Sequence, residues 1–259
     1  MTPGRRAGGR NAGRPHGVAD GAPAPPSHVA ARPAIEEGGA GAFPAVPPGS
    51  PYPDAFYDRD PRLVARELLG AVLQCRTADG VASGRIVETE AYLGPHDPAC
   101  HAVAGRTART WFLHGAPGVA YVYRIYGMHW CFNAVTLPEG FGSAVLVRAL
   151  EPIEGVQLMR RRRSVRTGSV PADRDLTNGP GKLAEALGID GRLDGVRLDG
   201  APNAAGALTL RAGAPIADAA VIVTPRIGIT RAAEWPLRYL VAGSAWVSRT
   251  PKAFPRTPY

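Results

Sequence analysis

The order of elements along this chain predicts a mixed α/β fold of the α+β type: a single compact domain with a largely antiparallel β-sheet, flanking helices and a protruding β-hairpin. Three observations carry that expectation. Strand-like runs arrive in pairs joined by short turns, at residues 71–92 and 119–137, and short turns connect antiparallel partners. Segments with helical start and stop signals lie at 61–69, 153–164 and 178–187. With 45% hydrophobic residues, 259 residues suffice for one sizeable core, and although the length allows one or two domains, one is expected.

The first 52 residues stand apart. Nineteen of the first fifty are Gly or Pro, large apolar side chains are few, and such a segment buries too little surface to offset its ordering entropy. It is expected as a disordered tail, with the working domain at 53–259. Five tail arginines offer loose contacts to a polyanion, although a solvated extension is the simpler reading.

In the domain, Asp60 caps and Pro61 starts a helix over PRLVARELL that Gly70 stops. AVLQCRT, the Asp79-Gly80 turn and VASGRIVETEAY then form a hairpin. Residues 94–118 are a long loop with three of the six histidines and the polar run GRTART, and loops of that length are usually functional. Two runs rich in Val, Tyr, Ile, Phe and Trp follow, joined across Tyr126-Gly127-Met128-His129, and form a hairpin with an aromatic at its tip. AVLVRAL is a strand that leads through Glu151-Pro152 into a helix, IEGVQLMRRRRS, with Arg160 to Arg163 as its last turn. LTNGPGKLAEALGI is a loop feeding a helix, with Thr177 or Asn178 as cap, Pro180 in the first turn and Gly188 as stop. Residues 207–249 are expected to be strand-rich, and PKAFPRTPY to be a frayed end.

A formal charge of +8 points to nucleic acid as partner, and the first fifty residues supply only +2 of it, from five Arg against Asp20, Glu36 and Glu37. Cys75, Cys100 and Cys131 lack CxxC spacing, which argues against both a zinc site and a disulfide framework, and for a reducing compartment. No stretch approaches the ~20 apolar residues of a membrane span, and the start lacks the apolar core of a signal peptide. The expectation is a cytoplasmic, nucleoid-associated protein that needs no membrane, metal or cofactor.

The chemistry-bearing residues concentrate in GRIVETEAYLG, 84–94, and YVYRIYGMHWCFN, 121–133. The strand period puts Ile86, Glu88, Glu90 and Tyr92 on one face and Val87, Thr89, Ala91 and Leu93 on the other. Glu88 reads as a solvent-facing acid. Glu90 sits at the strand end beside Tyr92 and the Gly94-Pro95 turn, where active-site loops begin. Carboxylates beside aromatic rings suit bond cleavage on a flat, stacked substrate. Tyr126 either folds back onto the sheet or acts as a wedge between stacked bases. The Gly-Pro-Gly-Lys start of the 178–187 helix, with Lys182, suits a phosphate.

On these motifs the chain resembles the alkyladenine (3-methyladenine) DNA glycosylase family, monofunctional base-excision enzymes of mixed α/β fold that are not of the helix-hairpin-helix type. Five blocks in order carry the resemblance: IVETEAYLGP, AYVYRIYGMHWCFN, AVLVRALEP, LTNGPGKLAEALGI, and TPRIGIT with PLRYLVAGSAWVS. The resemblance implies Glu90 as general base and Arg148 as holder of the attacking water, completed by a backbone carbonyl near Ile227. It implies Tyr92, His101 and Tyr123 as stacking walls for a flipped base, Asn133 as the group that crowds the exocyclic amine of guanine, and Tyr126 as the intercalating residue. Arg106, Arg109 and Lys182 are expected on the DNA backbone. The implied partner is double-stranded DNA containing damaged purines, bound by a monomer with a curved sheet.

Departures lie in GRTARTWF, where Ala108 and Thr110 replace an expected Pro and Asn, and Trp111-Phe112 replaces Met-Phe. They put lesion preference in doubt rather than the chemistry. No lysine or proline amine is evident near the matched site, so lyase activity is not expected. A non-catalytic lesion-binding module remains a rival, and so does a carbohydrate hydrolase. The latter is disfavoured because only one suitably placed carboxylate stands out.

Overall fold

The computed structural model describes residues 42–248. The expected tail lies outside the described residues as far as residue 41, as does PKAFPRTPY. The rest of that stretch packs on the domain. Tyr52 stacks on Phe56 with centroids 3.9 Å apart, Phe43 meets Phe56 edge-on at 5.4 Å, and the Arg59 guanidinium covers both phenylalanine rings. Two aromatics among glycines and prolines are enough to tie this segment down, so the packed chain begins before residue 53.

Helix α1 (Asp54–Tyr57) is a single turn. In α2 (Pro61–Glu67) the Asp60 carboxylate accepts the Arg62 N–H at 2.8 Å and proline fills N1, as its sequence signals require. Val64 and Ala65 face the core.

The sheet is antiparallel throughout, in the order β3-β4-β5-β2-β1-β6, with β8 added to β2 and β7 to β8. The strands are β1 (Val72–Thr77), β2 (Gly80–Tyr92), β3 (Ala120–Ile125), β4 (His129–Thr136), β5 (Ser143–Glu154), β6 (Ala207–Arg211), β7 (Val221–Thr224) and β8 (Arg238–Val241). The spine is β2. One edge follows β5 along its length, while the other pairs first with β1, through residues 80–85, and then with β8, through residues 88–90. Register shifts in β2 at Ile86/Glu88 and Glu88/Thr89 mark the change of partner. Such a bulge bends the strand and increases its twist, which curls the sheet and lets one edge serve two partners.

The bulge overturns the simple alternation. Ile86 does not share the surroundings of the acids; it joins Ala91 and Leu93 in the main core. Glu88, expected in solvent, is fully buried. The extra residue shifts the phase of everything before it, an effect the pattern of apolar and polar residues does not reveal.

Helix α3 (Val156–Thr167) starts later than expected. Pro152 and Glu154 still pair with β2, and Gly155 breaks the strand at φ +73°, where a Cβ would lie 2.3 Å from the Val81 carbonyl oxygen. The four arginines therefore fall mid-helix, not in its last turn. Arg160 pairs with Asp173, Arg162 with Asp79 and Arg163 with Glu185, so most of the run braces the fold. Helix α4 (Pro180–Leu187) has proline at N1 and Gly188 at its C-terminus, but its N-cap is Gly179. The hydroxyl of Thr177 donates instead to the Leu150 carbonyl, and Asn178 accepts from Lys182. The C-terminal third holds only three short strands among irregular segments.

The loop after β2 is built from three 3₁₀ turns, at Gly94–His96, His101–Ala104 and Phe112–His114. Asp97, fully buried, accepts the backbone N–H groups of Leu93 and Ala99 and pairs with Arg226. This fixes the loop against β2. Beneath it Cys100, Leu113, Val119, Tyr121 and Val135 form a second, smaller core. Cys75, Cys100 and Cys131 are free and buried. Among the described residues no helix is long and apolar enough to cross a membrane.

Candidate active site

A cavity of about 700 Å³ opens between the loop after β2, the inner faces of β3, β4 and β5, and the segment at 227–231. Alternation on three neighbouring strands supplies its walls: Tyr121 and Tyr123 from β3, Cys131 and Asn133 from β4, Ala144, Leu146 and Arg148 from β5. Tyr92, His101, Ile227 and Tyr126 also line it. The 3₁₀ turn brings His101 to within 4.5 Å of Tyr123, centroid to centroid and edge to face, with its Nδ1 2.9 Å from the Tyr121 hydroxyl. Tyr121 and Tyr123 stack at 5.1 Å. Burial, with the nearby Arg109 charge, pushes the His101 pKa down, so the imidazole is neutral at physiological pH. Burial first, and then the Glu90 charge, pushes the Tyr92 phenol up, so it stays a hydrogen-bond donor.

Glu90 lies fully buried behind this wall. Its Oε1 accepts the Ile227 N–H at 2.7 Å; its Oε2 accepts the Tyr92 hydroxyl at 3.0 Å and lies 3.2 Å from Arg148 Nη1. All three partners line the cavity. Ile227 thus presents its N–H to the acid. Asn133 is buried in the wall, its Nδ2 donating to the Tyr121 carbonyl at 3.0 Å. Behind Tyr92 lies the guanidinium of Arg226, 4.7 Å from the ring centroid.

Glu88 has a different shell. Its Oε1 accepts from Arg148 Nε at 2.9 Å, Arg238 Nε at 2.7 Å and Ser248 Oγ at 2.7 Å, and its Oε2 accepts the Ser248 N–H at 2.6 Å. Burial raises its pKa, but the charges of Arg148 and Arg238 and the Ser248 hydrogen bonds outweigh this and leave it below the ordinary value. Arg148 therefore spans both carboxylates.

Tyr126 stands at the hairpin tip, 85% exposed, with φ 49° followed by Gly127 at φ 70°. Two consecutive positive φ values suit the twist of a hairpin, and glycine takes the second without strain. Tyrosine at the first costs about 1 kcal/mol. The ring does not fold back onto the sheet. Arg109 reaches back to the Arg124 carbonyl and lies 5.6 Å from the centroid of Tyr123, a ring of the cavity wall. Arg106 lies over exposed Trp111 at 3.9 Å. Lys182 sits beside Pro180 of the cavity lining, its Nζ 2.7 Å from Asn178 Oδ1 and 3.4 Å from Asp175. The departure Thr110 has an internal role: its hydroxyl donates to the Gly105 carbonyl and accepts the Thr107 N–H, closing the turn.

Sequence reasoning missed Tyr121, although its spacing of two from Tyr123 was available. It missed Arg226, Asp97, Arg238 and Ser248, which have no local signal. Among the described residues no cluster of His, Cys, Asp or Glu is arranged to hold a metal ion.

A cavity of about 700 Å³ with aromatic walls, backed by a carboxylate and an arginine, has the room and the groups for a flat ring and the hydrolysis of a bond to it. Residues 55–245 match the profile of the methylpurine-DNA glycosylase family. A protein of Koribacter versatilis, named "Putative 3-methyladenine DNA glycosylase", is 48% identical over 204 residues, 77% of this chain and 93% of its own. A protein of the same name from Rubrobacter xylanophilus is 51% identical, covering 68% of this chain and 86% of its own; one from Methanoculleus marisnigri is 46% identical, covering 76% and 98%. The chain belongs to the methylpurine-DNA glycosylase family. It is a DNA glycosylase, a hydrolase of N-glycosyl bonds in DNA repair.

Proposed function

We propose that this glycosylase flips alkylated or deaminated purines, of the 3-methyladenine, 7-methylguanine and hypoxanthine type, out of double-stranded DNA and hydrolyses their N-glycosidic bond, leaving an abasic site. One observation carries the reading: every partner of buried Glu90 lines the aromatic cavity. Glu90 is the general base. Arg148 holds the attacking water, which on entry competes with the Tyr92 hydroxyl for Glu90 Oε2. The Glu90 charge also stabilises the oxocarbenium-like sugar as the base departs.

The flipped purine stacks among Tyr92, His101 and Tyr123, and the electron-rich aromatic faces attract a cationic alkylpurine. A neutral His101 adds no repelling charge. Such a base leaves without further protonation, whereas hypoxanthine needs a proton on departure. Asn133, fixed by the Tyr121 carbonyl, narrows the pocket against the exocyclic amine of guanine. Arg106, Arg109 and Lys182 meet the phosphates of one bound duplex per monomer.

The test is release of base from a panel of single-lesion duplexes, measured as abasic sites. Release from the N-alkylpurine duplexes is expected. Tight lesion binding without release from any duplex would favour the non-catalytic module instead.

The exposed ring of Tyr126 is the wedge that fills the gap left by the extruded nucleotide. Tyr126→Ala is expected to weaken lesion-duplex binding by about 2 kcal/mol or more, a roughly thirtyfold rise in Kd, because nothing then offsets unstacking. Its melting temperature should match the wild type, and titrations at fixed salt paired with thermal melts check both. Normal affinity with a lowered melting temperature would retire the wedge.

A further inference from the structure

We propose that Glu88 is a positioning residue for excision: it holds Arg148 in place and takes a share of its charge, and so sets how tightly Glu90 binds a proton. This rests on Glu90 being the general base. The arrangement is a relay of contacts. Ser248 and Arg238 fix Glu88, Glu88 Oε1 holds Arg148 Nε at 2.9 Å, and Arg148 Nη1 reaches Glu90 Oε2 at 3.2 Å.

Two features separate this from an ordinary buried ion pair. One is saturation: Glu88 takes four donor contacts, three on one oxygen, and is fully buried, so it is fixed as an anion and is not itself available as a base. The other is geometry. A guanidinium has a rigid fork, so a carboxylate held on Nε dictates where Nη1 points. Arg148 lines the cavity and would hold the attacking water, and its aim is therefore a catalytic matter. With one cation between two anions, the Glu88 charge offsets part of the pull of Arg148 on Glu90.

The groups facing Glu90 are Tyr92 on its own strand, Arg148 on β5, Tyr123 on β3, Cys131 on β4, and Arg226 beside Ile227. Of these, Arg148 also touches Glu88. Neutralising Glu88 removes the repulsion between the two acids that offsets the pull of Arg148, and so makes Glu90 hold its proton less tightly.

The experiment compares single-turnover release of 3-methyladenine from methylated duplex DNA across pH for the wild type, Glu88→Gln and Glu88→Asp, with spontaneous depurination subtracted. This cationic base needs no proton to leave, so the acid limb reports the enzyme alone. In Glu88→Gln the limb should move to lower pH by about half a unit or more, with a neutral-pH rate roughly tenfold lower per folded molecule and little change in duplex Kd. Glu88→Asp keeps the charge and should return the limb towards its wild-type position. Ser248→Ala is the milder variant should Glu88→Gln fail to fold. It removes one hydrogen bond from Glu88, makes it lean harder on Arg148, and should move the limb slightly to higher pH. A limb that stays at the wild-type pH in every folded variant, with rates falling only as the folded fraction falls, would overturn the proposal. Full activity of Glu90→Gln would instead remove the base assignment on which it rests.

Discussion

Glu90→Gln should lower single-turnover base excision by about two to four orders of magnitude while leaving lesion-duplex affinity within about tenfold. The amide keeps the shape of the side chain: its oxygen still accepts the Ile227 N–H and its NH2 donates to the Tyr92 oxygen, which reverses that bond, so the wall of the cavity stays in place. It takes no proton from water and brings no negative charge to the sugar. Removing a charge from beside Arg148 also leaves that guanidinium with Glu88 as its remaining anion. Rates come from quenched single-turnover assays and affinity from titration of the same duplex. Wild-type rates in this variant would assign the base to another group.

The largest effect on stability is expected from Glu88→Ala, about 3–5 kcal/mol, because it leaves Arg238 buried without its counter-charge. Arg238 is fully buried and donates a further hydrogen bond to Thr224 Oγ1 at 3.1 Å. For a domain of this size the loss corresponds to a fall of about 6–20 °C in melting temperature. The pH dependence has a definite sign. Burial opposes ionisation of Glu88, the two arginines and Ser248 favour it more strongly, and its folded pKa is depressed. Its stabilising contribution is therefore present above the unfolded glutamate value of about 4.3 and is lost as pH falls through the folded value. Wild type and variant should converge in stability as acid is added, and denaturant melts at several pH values check this. A variant as stable as wild type at pH 7 would show that Arg238 finds water once Glu88 is gone.

Much of the positioning of the site was legible locally. The strand over residues 80–92, the hairpin with Tyr126 at its tip, and helix α2 between Asp60 and Gly70 all follow from periodicity, turn chemistry and capping, which act over a few residues. Tyr92, Tyr123, Asn133 and Arg148 come together because period-two alternation on neighbouring strands aims them at one space. Where local signals competed, they misled. Thr177 looks like a helix cap, yet its hydroxyl is taken by the Leu150 carbonyl, 27 residues away in sequence, and Gly179 becomes the cap. The arginine run looks like a solvated helix end, yet β5 extends through Pro152 and Glu154 to pair with β2 and pushes the helix start later.

By itself the sequence determined the class of fold, the hairpin, and the strand that presents Glu90 beside Tyr92, since each is written in spacing within one segment. Only the tertiary structure decided the fate of Glu88. A bulge, placed where β2 changes partner from β1 to β8, alters the strand's phase, and the partners that then hold this acid lie 60, 150 and 160 residues away. Burying a carboxylate is favourable only when its donors arrive together, and no pattern within the strand encodes their arrival.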